Sequence, residues 1–487
     1  MNTSAFAHSV RFLREHTWKL LAISAALLAP CFWHRVIEAG DLGSHLYNAW
    51  LVQLIERGQA SGLWITRQWN NVLFDFLLSG LGSIFNLYVA EKIAVSLAVL
   101  VFFWGAFTFV SAATGRPPWG FTPLLAMISY GWTLQMGFFN YYLSIGISFF
   151  ALAIFWRGSG WERFAAVPLA GLVLLAHPLG FLWLIGAAVY IEIIERVSFR
   201  YHFVVLLAAA GALYLVRFYL AHHYIMDGPD ESLYLFNGAD QFLLFNPRYR
   251  FPSVAVIFLV IVFVGVDLIR RRREDGLSAQ YSIPAQLFVI AELGVLLLPD
   301  GIHLPEYPVA VALITERLTS ISAVLACCLL DAMRPRFWHL AGFGAIAAIF
   351  FSFVYQDTAT INRMEVQVES LVHTLPPGQR VMATILPLPG SRVLIQHMVD
   401  HACIGYCFSY GNYEAASGQF RVRARPNNPF VMTQPQDTGS MEEGTYTVQP
   451  QDLPVWQIYQ CSMTQTDLCI RPLAAGEDND AQGDHPP

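Results

Sequence analysis

Residues 40–50 read GDLGSHLYNAW and stand where the chain leaves its first hydrophobic segment. An acid, Asp41, and an imidazole, His45, lie there among small and apolar residues, with Glu38 three positions before Asp41. What flanks this stretch decides the fold. The chain has 487 residues, of which 55% are hydrophobic and only 13% charged, and its mean hydropathy is +0.46. A soluble domain carries roughly 25% charged residues, so the chain is predicted to be an α-helical polytopic membrane protein whose first partner is the lipid bilayer. The net charge of -6 speaks against nucleic acid as a partner, because such binding wants a basic face.

A helix needs about 20 apolar residues to cross a bilayer. About eleven segments qualify: roughly 17–33, 87–110, 120–136, 140–156, 163–177, 179–194, 202–220, 252–268, 281–298, 317–333 and 338–356. No small-residue cleavage site follows the first of these, so it reads as an uncleaved helix rather than a signal peptide. Arginine and lysine test the map. Arg11, Arg14 and Lys19 precede the first span, Arg116 follows the second, Arg157 and Arg163 the fourth, Arg196 and Arg200 the sixth, Arg270 to Arg273 the eighth, and Arg334 and Arg336 the tenth. With eleven spans all of these fall on one side, which the positive-inside rule makes the cytoplasm. The opposite side then receives loops 34–86, 221–251 and 299–316, together with everything after about residue 357.

Hydropathy falls after Tyr355. Residues 359–374 read as a helix, and RVMATIL, QFRVRA, VWQIYQC and LCIRPL read as strands, QFRVRA with the period-two alternation of a half-buried strand. The expectation is a membrane domain over 1–356 and a small mixed α/β domain over 357–475 on the outer side. The remaining tail, 476–487, is acidic, lacks apolar residues and is expected to be disordered. Four of the seven cysteines, Cys403, Cys407, Cys461 and Cys469, fall in that outer segment, where an even number suits disulfides. Their pairing is left open.

In the first outer loop, 34–86, residues 44–57 have the marks of an amphipathic helix lying along the membrane surface. Ser44 is its expected N-cap, and Leu46, Trp50 and Leu54 form an apolar stripe. His45, Asn48 and Glu56 fall on another face, and Gly58 is a natural stop. Trp50, Trp64 and Trp69 suit the interface between lipid and water. The loop also carries Arg67 and Asn70, more polar chemistry than a connector requires.

On these residues the chain resembles the GT-C superfamily of integral-membrane glycosyltransferases. The resemblance rests on Glu38, Asp41 and the helix HLYNAWLVQLIERG. It continues in GFFNYYLSIGISFFALAIF at 137–155, which is similar to a segment of bacterial relatives, and in ITERLTSIS at 314–322. It implies transfer of a sugar from a polyprenyl-phosphate carrier to a lipid, glycan or protein acceptor on the outer side of a bacterial inner membrane. Asp41 would then be the catalytic acid/base, with Glu38 and His45 beside it. The family often shows adjacent acids or a DxD pair. Here the acids are spaced as ExxD, which favours Asp41 over Glu38 and leaves metal use open, a divalent cation being the candidate cofactor.

Such chemistry needs a base for the acceptor hydroxyl and cations for the leaving phosphate. Candidates at the outer ends of spans are Arg248, Arg250 and Arg317, with Arg67, His222, His223, His303 and Glu316 nearby. Arg and Tyr at a span boundary also serve as plain interfacial anchors. Glu292 lies within a predicted span, where an acid is a functional candidate, whereas His177 before Pro178 reads as a helix terminator. No Walker-type GxxxxGK[ST] is present, which disfavours ATP-driven transport. The alternative readings are a transporter or flippase of lipid-linked glycans, and a non-catalytic component of surface-polysaccharide assembly.

Overall fold

The computed structural model describes residues 5–228, 236–271, 282–333, 335–461 and 466–480. Of the features read above, Arg272, Arg273, Arg334, residues 229–235 of the second outer loop and the tail end 481–487 lie outside the described residues. Among the described residues six helices are long and apolar enough to cross a membrane: Leu87–Thr114, Phe139–Arg157, Pro178–Arg196, Phe199–His223, Pro247–Asp267 and Phe337–Val372. Each coincides with one of the eleven expected spans. The chain is an α-helical membrane protein.

The other five expected spans take different forms. Helix α1, Ala5–Phe32, has a polar first half that holds Arg11, Arg14, Glu15 and Lys19. Residues 120–136 are cut at Tyr130 and Gly131 into an eight-residue helix, Thr122–Ser129, and a single turn, Trp132–Gln135. Segment 163–177 contributes an 11-residue helix, Ala166–Ala176, that ends before Pro178, because proline cannot supply the next backbone donor. Helix Ser282–Leu297 has 16 residues. Helix Ile314–Ala332 has 19 but includes Glu316, Arg317 and Asp331. A hydropathy window registers apolar content and does not register these interruptions.

Three further helices order the region around Asp41: α2, Leu42–Glu56, α3, Leu73–Ile84, and α4, Leu87–Thr114. Helix α2 differs from the expected surface helix. It begins two residues before Ser44, with Asp41 as the residue before its first turn, and Leu42, Ser44, His45, Leu46, Tyr47, Asn48, Ala49, Leu51 and Val52 are all buried. Both its polar and its apolar faces are therefore covered, the polar one by the C-terminal part of the chain.

In lipid, apolar surface alone gives helices little reason to associate, so close contact at small residues carries much of the packing. Helix α4 and helix Phe139–Arg157 cross at Gly105 and Gly146, where a side-chain carbon on Gly105 would collide with the Gly146 carbonyl. Phe102 and Tyr142 stack beside this crossing at 4.4 Å between ring centroids. Helix Pro178–Arg196 approaches through Gly180, packed on the Ser144 side chain.

The last long helix, Phe337–Val372, has 36 residues, about 54 Å at 1.5 Å per residue. That exceeds the ~30 Å hydrocarbon core, and the helix expected at 359–374 is its continuation. Among the described residues eight strands follow the chain in three small sheets: β1 Leu63–Ile65, β2 Ile225–Asp227, β3 Gly301–His303, β4 Arg380–Thr384, β5 Phe408–Ser409, β6 Val422–Ala424, β7 Val455–Gln460 and β8 Leu468–Leu473. The largest sheet has the order β5-β4-β7-β8, with β4 parallel to both neighbours and β7 antiparallel to β8. The four expected strand segments hold β4, β6, β7 and β8. Strand β6 does not join them. It pairs antiparallel with β1 of the first loop, Trp64 opposite Arg423.

Two disulfides, Cys403–Cys407 and Cys461–Cys469, close loops in the C-terminal region, while Cys31, Cys327 and Cys328 are free and buried. Protein denatured without reductant is therefore expected to bind three equivalents of a maleimide, and seven after reduction. Mass spectrometry of the labelled chain checks this, and seven equivalents without reductant would exclude both bridges.

Candidate functional site

The stretch GDLG seats Asp41 between two other segments. The Asp41 amide donates to the Met136 carbonyl at 3.1 Å, in the turn that interrupts residues 120–136. Gly40 has φ 20° and Gly137 φ 82°. A side-chain carbon on Gly40 would strike Met136 O, one on Gly137 the Asp41 amide, and one on Gly43 the His397 carbonyl. Glycine is needed at these positions because the backbones themselves touch.

Across that contact, His397 stands just before the short helix Met398–Cys403. Its Nε2 lies 3.5 Å from Asp41 Oδ1, and its Nδ1 lies 2.8 Å from Asp400 Oδ2. The side chain of His397 is only 4% exposed, that of Asp41 18%. Burial alone would discharge His397. The hydrogen bond and charge of Asp400 overcome that and push its pKa up to about 10, so it is an imidazolium at neutral pH. On the other side Arg317 lies within electrostatic reach of Asp41 and Tyr413, its guanidinium 4.0 Å above the Phe138 ring. Among the described residues, the buried Nε of Arg317 and Nε2 of His397 have no hydrogen-bond partner. Nearby Glu442 accepts from Gln396 at 2.8 Å, and burial, aided by the neighbouring Asp400 and Asp41, pushes its pKa up to about 7.

A continuous buried polar chain supports this arrangement. Asp400 accepts from Asn412 at 3.0 Å, Asn412 donates to Ser44 Oγ at 2.9 Å, and Ser44 donates to Glu414 at 3.0 Å. His45 sits between Asp75, at 2.8 Å, and Glu414, at 3.7 Å. Asn140 closes the chain by donating to Asp75 at 2.9 Å. Burial opposes a charge on His45, but Asp75 beside it raises its pKa to about 9. Burial would also raise Asp75, yet His45 holds it below the usual carboxylate range. Glu414 is pushed up to about 8, first by burial, against the pull of His45 and with the help of Asp75.

Glu38 belongs to a second cluster. It accepts from Asn362 at 3.3 Å, and burial and the Glu365 carboxylate push its pKa well above the usual range. His401 lies between Glu91, at 3.7 Å, and Glu365, at 3.5 Å. A cavity of about 20 Å³ lies among Glu38, Gly43, Glu91, Glu365, His397 and His401, room for about one water. Among the described residues no group of three or more His, Cys, Asp or Glu is arranged to hold a metal ion.

The other predicted residues are dispersed. Arg67 and Arg250 are exposed. His222 and His223 bond the Phe218 and Tyr219 carbonyls of their own helix, each at 2.8 Å. Arg248 pairs with Asp357 at 2.7 Å, and His303 with Asp227 at 3.2 Å across β2 and β3. Glu316 accepts from Thr315 at 3.1 Å. Glu292 accepts from the Asn237 amide at 3.2 Å. His177 caps helix Pro178–Arg196 by accepting from Leu179 N at 3.2 Å, as its position before proline suggested. Of the predicted set, Arg317 lies within electrostatic reach of Asp41 and, among the described residues, has a buried Nε without a hydrogen-bond partner.

The chain matches no protein-family model, no curated protein and no solved structure. Sequence reading missed His397, Asp400, Asn412, Glu414 and Glu442. One signal was present: HMVDHAC at 397–403 packs two histidines and an acid beside a disulfide cysteine.

His45 is expected to hold the loop rather than react. Removing one member of a buried ion pair costs about 3–5 kcal/mol, so His45→Ala should lower the thermal midpoint in detergent strongly. The double variant with Asp75→Asn should be less destabilised than the sum of the single changes, and additive losses would deny the pairing.

Alkaline pH should have the same effect. His45 and His397 have folded pKa values of about 9 and about 10, above their ordinary value near 6.5. The folded state therefore binds their protons more tightly than the unfolded chain does. The resulting stability is complete below about pH 6.5 and lost as pH rises through about 9 to 10. Glu414, raised to about 8, acts in the same sense. Thermal midpoints measured from pH 6 to 10.5 should fall, with a shallower fall in His45→Gln, and a flat profile would contradict the charge states described.

Proposed function

We propose that the protein is a membrane glycosyltransferase of GT-C type that moves a sugar from a polyprenyl-phosphate carrier to an acceptor on the extracytoplasmic side, with Asp41 as the acid/base. The observation that carries this reading is a partly exposed carboxylate, Asp41, 3.5 Å from the buried His397 ring and within electrostatic reach of the half-buried Arg317, each cation having, among the described residues, a buried N–H without a hydrogen-bond partner. Buried donors without partners are uncommon and call for an explanation.

In this reading Asp41 takes the proton of the acceptor hydroxyl as its oxygen attacks the anomeric carbon. The bond from that carbon to the phosphate oxygen breaks, and its electron pair leaves with the phosphate. Arg317 and His397 take up the phosphate charge through their free N–H groups, since charge-assisted hydrogen bonds are the strong ones. Asp400 holds the His397 ring from behind. Two disulfides in the C-terminal region favour an oxidising compartment for it. With the arginine pattern, they support an inner-membrane protein with a cytoplasmic N-terminus.

The test is sugar transfer by protein purified in lipid, with labelled polyprenyl-phosphate sugars. Loss of a general base typically costs about 10²–10⁴-fold in rate. Asp41→Asn should lose turnover to that extent with an unchanged thermal midpoint, and Arg317→Gln should weaken donor use. Asp41→Asn with full turnover would sink the assignment. Binding of glycolipid without turnover by the unmodified protein would favour the transporter reading instead.

A further inference from the structure

The ribbon of β1 and β6 shows a surface that the proposed reaction does not use. In an antiparallel pair, directly opposite residues share a face and successive residues alternate. Leu63 and Val422 point inward and are buried. Arg421, Arg423 and Arg425 all fall on the other face, with Trp64 opposite Arg423. Arg425 is exposed and lies 5.9 Å from the Trp64 ring centroid. Trp64 is 41% exposed, and Trp69, just beyond β1, is 78% exposed.

The same ribbon is fastened to α3. The Arg421 guanidinium lies 4.5 Å from the Phe76 ring centroid and donates to Ser79 Oγ at 3.2 Å. Helix α3 has 12 residues, too few for the ~20 that a span requires. Its one acid, Asp75, turns inward to His45. Phe76, Gly80, Ser83 and Ile84 form an uncharged exposed stripe at helical spacing, which runs into Phe85 and then into exposed Tyr88 and Val89 at the start of span α4. An uncharged stripe continuous with a span belongs at the edge of the hydrocarbon. The arginine and tryptophan face beside it then stands at headgroup depth, where indole rings settle. Arg423 Nη1 is buried without a hydrogen-bond partner among the described residues. Arg423 Nη2 donates to Gln68 at 3.4 Å, and the exposed Arg425 beside the half-buried Arg423 offers planar, forked donors of the kind that pair with two oxygens of one phosphate.

We propose that the Arg421–Arg423–Arg425 face of the ribbon, with Trp64 and Trp69, binds the phosphate headgroups of anionic membrane lipids while α3 rests in the lipid below. The ribbon thereby fixes the depth of both the first loop and the C-terminal region, because β1 belongs to one and β6 to the other.

The experiment uses the full chain, purified in detergent with added phosphatidylglycerol or phosphatidylcholine, and counts retained lipids by native mass spectrometry. Each cation near an anionic lipid surface changes binding by roughly fivefold. Arg423→Gln/Arg425→Gln should therefore lower phosphatidylglycerol retention by about tenfold or more and leave phosphatidylcholine unchanged. Added salt should weaken retention in the unmodified protein. Should the double variant fail to fold, Arg425→Gln alone, at an exposed position, should still lower retention, while Arg423→Lys should keep most of it. Equal retention of phosphatidylglycerol by the unmodified protein and both Gln variants would overturn the proposal. So would capture of a soluble acidic polysaccharide in preference to phosphatidylglycerol, which would make the face a glycan surface.

Discussion

Backbone contact at glycine is the constraint on which the rest of this structure depends. At Gly40, Gly43 and Gly137 three segments distant in sequence approach more closely than any side chain permits. The first loop, the interrupted helix at 120–136 and the His397 turn are thereby locked around Asp41. A methyl group at any of the three would push apart the elements that enclose this carboxylate. The φ of 82° at Gly137 adds a second requirement for glycine there, because a side chain resists left-handed backbone.

This close approach creates a cost that the polar network then offsets. Bringing α2 against the C-terminal region buries Asp75, His45, Glu414, Asp400 and His397, and isolated buried charges are expensive. Each finds an opposite charge or an amide: Asp75 the His45 ring and Asn140, Asp400 the His397 ring and Asn412. The network therefore specifies one register between the first loop and residues 397–414, since a shift of a single residue would strand several charges. It also leaves Asp41 beside His397 and within electrostatic reach of Arg317, cations that, among the described residues, each keep a buried N–H without a hydrogen-bond partner, and the proposed chemistry rests on that asymmetry.

The membrane explains why so polar a cluster is concentrated in one place. Spanning helices must satisfy their own backbone and carry few charges, and the long apolar helices here obey this. Polar side chains gather instead where the first loop meets the C-terminal region. The pairing of β1 with β6 makes those two regions one body, and the arginine and tryptophan face of that ribbon lies beside an apolar helix too short to cross.

Much of this was legible from the sequence, for local physical reasons. Runs of apolar residues declared a helical membrane protein, because hydropathy acts residue by residue. The strands in RVMATIL, VWQIYQC and LCIRPL showed in their β-branched and aromatic content, and Asp41 stood out by its position. The span count was less legible. The breaks at Gly131 and Pro178 end helices without much changing average hydropathy, and Glu316 and Arg317 place charge inside the helix Ile314–Ala332. Helix α2 looked like a surface helix because periodicity reveals that a face is polar and not what covers it; its polar face is buried by Asn412 and Glu414, more than 360 residues away. What the sequence by itself determined was the class of protein and most of its elements, because apolar runs and strand composition act locally. The tertiary structure alone decided that His397 stands beside Asp41 and that Arg317 comes within its electrostatic reach, because that placement depends on glycine contacts and charge compensation between distant segments, which no local pattern encodes.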